Sequence, residues 1–220
     1  MPNREYIEKL IGEKISKGRE YRRVSNIAIR SGEEGDSKIV EGYATTFDEE
    51  YCLFAYGNYR FFEKIDPHAF DGCDMSDVIM QYDHAGRVFA RSTNGTLKLT
   101  VDRKGLAIEA DLGGTTLGEQ LYEEIRGGYT TKMSFGFIVG EDKREEKRVT
   151  ENGATVYEIH RTITKLTKIY DVSAVSIPAN DTTEISARSW CDGVIAELEA
   201  ERLRAEEREA QIKKIKILTM

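Results

Sequence analysis

Between Val24 and Ile177 the chain is cut at short intervals by turn signals, and this constrains its fold more than any other feature. Val24–Arg30 and Ile39–Thr46 are strand-like runs on either side of a loop rich in Gly, Asp and Ser. Asp102-Arg103-Lys104-Gly105 separates Thr96–Val101 from Leu106–Asp111. Tyr129–Val139 reads as a further strand. Asn152-Gly153, a dipeptide suited to a two-residue hairpin turn, leads into Thr155–Ile163. A last strand over Ile169–Ile177 stops at Pro178. Short strands with regular punctuation build sandwiches and barrels. The expected class is α+β, mainly β: a closed or partly open antiparallel β-barrel flanked by a few helices.

Helical signals lie mostly outside that region. Asn3 can cap a segment in which Ile7, Leu10, Ile11 and Ile15 recur at helical spacing. Within the β region, Thr116-Leu117-Gly118-Glu119 reads as a capping box with Thr116 at the N-cap. It opens a helix striped with Leu117, Leu121, Tyr122 and Ile125 and closed at Gly127-Gly128. A shorter helix is expected after Asp66-Pro67. Residues from about Val194 to Lys216 contain no Gly or Pro and favour a long polar helix. The chain therefore divides into a basic amphipathic N-terminal helix or extension (1–23), a central domain (24–190) and a charged helical tail (191–220).

Charge follows the same division. The 32 basic and 39 acidic residues give a net charge of −7. The first 23 residues are nevertheless basic, and the acidity is concentrated in the middle of the chain. An acidic domain argues against nucleic acid as the main partner. No apolar run has the roughly 18 residues of a membrane span, so no membrane partner is expected. Cys52, Cys73 and Cys191 are odd in number and irregular in spacing. They match neither a disulfide framework nor a zinc signature, and a reducing compartment is expected, with no metal and no cofactor.

Only three histidines are present: His68, His84 and His160. The chemistry-bearing candidates centre on Ser134. In Lys132–Val139 the alternation sends Met133, Phe135, Phe137 and Val139 to one face and Ser134 and Gly136 to the other. A hydroxyl beside a residue without a side chain leaves an open spot that a substrate backbone could approach, so Gly136 is a candidate substrate-binding position. The competing reading is a strand serine facing solvent. A serine nucleophile needs a base, and histidine titrates near neutrality. His84 follows the apolar Val78–Met80 and precedes a Gly at position 86, which places it at a strand end or in a loop. Its alternative is a loop histidine bonded to Asp83. A third group must orient the base. Asp171 lies on a strand whose period-2 neighbours, Ile169, Ser173, Val175 and Ile177, are mostly apolar, so its carboxylate needs a partner. His160 is the alternative third member, or else a cross-strand surface histidine. His68 is expected to be structural.

Four blocks in this order resemble the prohead maturation proteases of tailed bacteriophages. They are Val40-Glu41-Gly42-Tyr43-Ala44-Thr45-Thr46-Phe47 with Phe62 to Phe70; His84 with Val88 to Leu97; Met133-Ser134-Phe135-Gly136-Phe137; and Tyr170-Asp171-Val172-Ser173 running to Asn180. The resemblance spans about Val24 to Ala187 and implies a fold like that of the herpesvirus capsid maturation protease. It implies Ser134 as nucleophile, His84 as general base and Asp171 as third member, where the family commonly has Glu. Asp83-His84-Ala85 also departs from the frequent Asn-His-Asp. The implied activity is a serine endopeptidase that cleaves scaffold protein, or the scaffold segment of the capsid protein, and then itself. It would act in the host cytoplasm inside the assembling prohead, with homo-oligomerisation an open expectation. The alternative is a catalytically inactive module for capsid assembly and scaffold binding.

Overall fold

A computed structural model describes residues 18–29, 38–175 and 181–218, with the side chains of 23–26, 181–189 and 214–218 excepted. Of the expected N-terminal helix, residues 1–17 lie outside the described residues. The chain is mainly β. Its strands are β1 (Glu20–Ile29), β2 (Ile39–Thr46), β3 (Tyr51–Tyr56), β4 (Tyr59–Ile65), β5 (Ile79–Tyr82), β6 (Ala85–Arg91), β7 (Leu97–Val101), β8 (Gly105–Asp111), β9 (Lys132–Glu151) and β10 (Ala154–Val175). Two helices accompany them, α1 (Thr116–Arg126) and α2 (Asp181–Leu218).

The organising element is the β9–β10 hairpin, 20 and 22 residues long. Its turn is Asn152-Gly153, with φ of 50° and 80°, the doubly left-handed geometry that matches strand twist. Residues 141–151 thus continue β9 as strand, and the two expected strands 155–163 and 169–177 form one, with its end at Ser176–Ile177 outside the described residues. On its far edge β10 has two successive parallel partners. Tyr157–Ile163 pairs with β4, and Asp171–Ala174 pairs with β5. The sheet runs β3-β4-β10-β9-β1-β2-β8-β7, with the β5–β6 hairpin branching from β10. No pairing joins its two ends among the described strands. Of the expected mainly β, closed or partly open antiparallel barrel, the mainly β character holds and closure is absent among the described strands. A strand as long as β10 shares one edge between two partners, which branches the sheet and makes it mixed.

The main core gathers Phe135, Phe137, Ile169 and Val172 from the base of the hairpin with Val40, Ile65, Met80, Leu106, Ile108 and Leu121. A smaller cluster packs the distal hairpin and β4 against α2, through Tyr59, Phe61, Ile159, Cys191, Val194 and Leu198.

Three local expectations shift. α1 is capped by Thr115, whose side chain accepts from the Gly118 N–H, one residue before the expected cap. Thr116 then becomes the first helical residue. After Asp66-Pro67 the chain makes successive turns, with Ala69 N–H bonded to Asp66 O and Asp71 N–H to His68 O, and no helix. Glu20–Arg23, assigned from sequence to the basic N-terminal segment, belong to β1, where Tyr21 and Arg22 are buried.

Candidate active site

Ser134 lies on the second face of β9, opposite Met133, Phe135 and Phe137, which are fully buried in the core. Its backbone partners are Arg23 of β1 and Ser173 of β10. That second face does not meet solvent as an outward strand serine would: Ser134 is only 1% exposed.

Asp171 reaches the same face through a bulge. Phe137 opposes Ile169 and the next residue back, Gly136, opposes Asp171, so β10 spends one extra residue at Tyr170. A bulge re-aims the side chains that follow it. Ile169 therefore stays in the core with Phe137, while Asp171 and Ser173 turn to the Ser134 face and Val172 and Ala174 return to the core. The shared face inferred for Ile169 and Asp171 from strict alternation is thus corrected. Gly136 makes room for the carboxylate: a Cβ there would lie 2.5 Å from Asp171 Oδ1 and 2.8 Å from the Tyr21 ring. The spot expected to be open to a substrate backbone is filled by these two side chains.

His84 comes from the two-residue turn that joins β5 to β6, with Tyr82 paired to Ala85. Asp83 and His84 both have positive φ, 48° and 57°. Asp and His are among the few non-glycine residues that visit this region, at some cost in strain. The Asp83 N–H donates to Ala174 O at 2.9 Å, which pins the turn against β10 beside the bulged segment. The imidazole is thereby laid over the Ser134 face and is 2% exposed.

These three elements form one chain of contacts. His84 Nε2 is 2.6 Å from Ser134 Oγ, and His84 Nδ1 is hydrogen-bonded to Asp171 Oδ2. Ser173 Oγ donates to the same Asp171 Oδ2 at 2.9 Å. The Tyr21 ring packs on the imidazole with centroids 4.4 Å apart. Burial, and then the Asp171 charge, push the Tyr21 phenol well above its ordinary range, so it stays protonated. Arg19 Nη1 lies 4.0 Å from Asp171 Oδ1, and its guanidinium stacks 3.5 Å over the Tyr170 ring.

His84, Ser134 and Asp171, separated by 50 and 37 positions in the chain, are thus brought together. The other histidines are not. His160 lies on the distal part of β10, where it bonds Glu50 at 2.8 Å and stacks on Phe62. Eleven residues of bulged strand, at most roughly 35 Å, separate it from Asp171. His68 is exposed beside Asp71. Sequence reasoning missed Tyr21, Arg19 and Ser173. Only Ser173 carried a readable signal, two residues beyond Asp171 on the same strand face. Among the described residues no group of three or more His, Cys, Asp or Glu side chains is placed to hold a metal ion. No described helix is long and apolar enough to cross a membrane.

Histidine between a hydroxyl and a carboxylate can draw a proton from the hydroxyl while the carboxylate stabilises the imidazolium that forms. No curated protein and no solved structure shows a significant match to the chain. A family model does, over residues 25–193, which takes in both hairpins and the bulge that assemble this contact chain. On that match, the chain belongs to the caudovirus prohead serine protease family.

Proposed function

We propose that the protein is a serine endopeptidase in which Ser134 is the nucleophile, His84 the general base and Asp171 the orienting carboxylate. The observation that carries this reading is the contact chain Ser134 Oγ–His84 Nε2 and His84 Nδ1–Asp171 Oδ2, closed inside a buried site. Ser134 Oγ attacks the scissile carbonyl carbon as its proton passes to His84 Nε2. The C–N bond of the tetrahedral adduct then breaks as that proton moves to the leaving amine, leaving an acyl ester on Ser134. Water attacks the ester through the same base, releases the carboxylate and restores the serine. Asp171 remains ionised throughout and holds the imidazole by Nδ1–H.

The substrates in this reading are the scaffold protein, or the scaffold segment of the capsid protein, and then the protease's own terminal segments, cut inside the assembling prohead of the infected host. The catalytic domain runs from β1 to the start of α2, so its first boundary falls near Glu20, within the segment that supplies Tyr21. At 1% exposure Ser134 meets a peptide carbonyl only after local opening.

Co-expression with the neighbouring capsid and scaffold proteins tests the proposal. Wild type trims them, and Ser134→Ala assembles the same particles untrimmed. Equal trimming by the variant removes Ser134 as nucleophile. Shell assembly without trimming by wild type favours the inactive assembly module.

A further inference from the structure

We propose that Ser173 is a positioning residue for the triad, acting through Asp171; this rests on the assignment of the active site above. Ser173 is fully buried, and its Oγ donates at 2.9 Å to Asp171 Oδ2, the same oxygen that His84 Nδ1 contacts. It also opposes Ser134 across the β9–β10 ladder. One side chain thus sits next to the nucleophile's backbone and bonds the far end of the contact chain.

A strand serine has an easy alternative, since its hydroxyl can bond a nearby backbone carbonyl. Here it bonds the carboxylate, and two consequences follow. The terminal torsion of an aspartate is broad and roughly two-fold, so a second donor on Oδ2 holds that oxygen towards the imidazole. A hydrogen bond to the charged form also lowers a carboxylate's basicity. That keeps the Nδ1 proton on His84 and leaves the Nε2 lone pair facing Ser134. The bulge at Tyr170 serves Ser173 as well as Asp171, because one extra residue turns both onto this face.

Loss of the hydroxyl removes a hydrogen bond to a charged group, a change that corresponds to a rate loss of about tenfold to a hundredfold. The carboxylate left behind is more basic and stabilises the imidazolium. The pH below which the base is protonated therefore moves upward.

The test is the rate at which a fluorophosphonate modifies Ser134 in the full chain, measured against pH. It compares wild type, Ser173→Ala, Asp171→Ala, the double variant and His84→Ala. Ser173→Ala is expected to react about tenfold to a hundredfold more slowly than wild type, with its acid limb displaced to higher pH. In the Asp171→Ala background the same change is expected to do nothing further, because its effect passes through Asp171. An equal loss in both backgrounds, an unmoved acid limb, or no loss at all overturns the role of Ser173. Those outcomes leave the active-site assignment standing as long as His84→Ala abolishes the reaction. If wild type is not modified at Ser134, the assignment itself falls, and this inference with it.

Discussion

Two buried polar clusters occupy opposite faces of the same strands, and they are built to opposite ends. Tyr21 and Arg22 are neighbours on β1 and point to different faces. Tyr21 packs on His84 in the candidate active site. Arg22 enters a network in which every charge is answered. Glu63 accepts from Arg22 Nε at 2.5 Å and Nη2 at 2.8 Å, from Tyr51 Oη at 2.5 Å and from Arg161 Nη1 at 3.0 Å. Arg161 also donates to Glu20 and Asp142 and lies 4.3 Å from the Trp190 ring. This network joins β1, β3, β4, β9, β10 and α2. The active-site cluster joins hydroxyl, imidazole and carboxylate through protons that can move. Buried charge alone does not mark chemistry. A network saturated by arginines fixes geometry, whereas a chain with a titratable ring at its centre can pass a proton.

The comparison breaks most sharply at Ser134, the proposed nucleophile. His84→Ala should lower proteolysis by about 10⁴-fold or more and cost stability as well, because it removes a buried partner of Asp171; Ser134→Ala should lose as much rate while leaving the denaturation midpoint almost unchanged. Glu63→Ala should do the reverse. It strands Arg22 and Arg161 in the interior, and urea unfolding should report a loss of about 3–5 kcal/mol. A small loss there would mean that the network does not fix the geometry of these strands.

Gly136→Ala tests the boundary between chemistry and packing. The added methyl meets Asp171 Oδ1 and Tyr21. Misplacement on this scale can cost about a hundredfold in rate, with a loss of stability of about 1–3 kcal/mol. Equal activity would show that Asp171 need not stay where the bulge puts it.

The network also sets an acid limit on stability. Burial by itself would raise the Glu20 pKa, but Arg22 and Arg161 outweigh it and bring the carboxyl from 4.5 down to about 2. A lowered folded-state pKa means that the stabilisation is complete above pH 4.5 and is lost as pH falls towards 2. Glu20→Gln should flatten stability against pH within that window, measured by denaturant titration at each pH. The smallest effect belongs to His160→Ala, which should leave the proteolytic rate at its wild-type value, in contrast to Asp171→Ala.

Much of this was legible in the residues, and what was not has physical causes. The alternation of Met133 to Val139 gives the core face of β9, because one face is apolar. Residues 141–151 hide their strand character: apart from the half-buried Val149, both faces of this part of β9 are charged or exposed, so no period shows. Their strand comes from pairing with β10. No strand was expected at β4, although its alternation, buried at every second residue from Tyr59 to Ile65, and the Gly57-Asn58 turn before it are present in the residues. The need of Asp171 for a partner could be read from its apolar neighbours. The bulge at Tyr170 could not, because it appears only when β9 and β10 are set in register. Tyr21 was out of reach for the same reason, since only the β1–β9 pairing brings it to Gly136 and His84.

The most direct test of the central claim is to find which residue a fluorophosphonate modifies. Mass-spectrometric mapping of the full chain should place the adduct on Ser134 in wild type and find none there in His84→Ala. An adduct on another serine, or an equal yield at Ser134 without His84, would contradict the account.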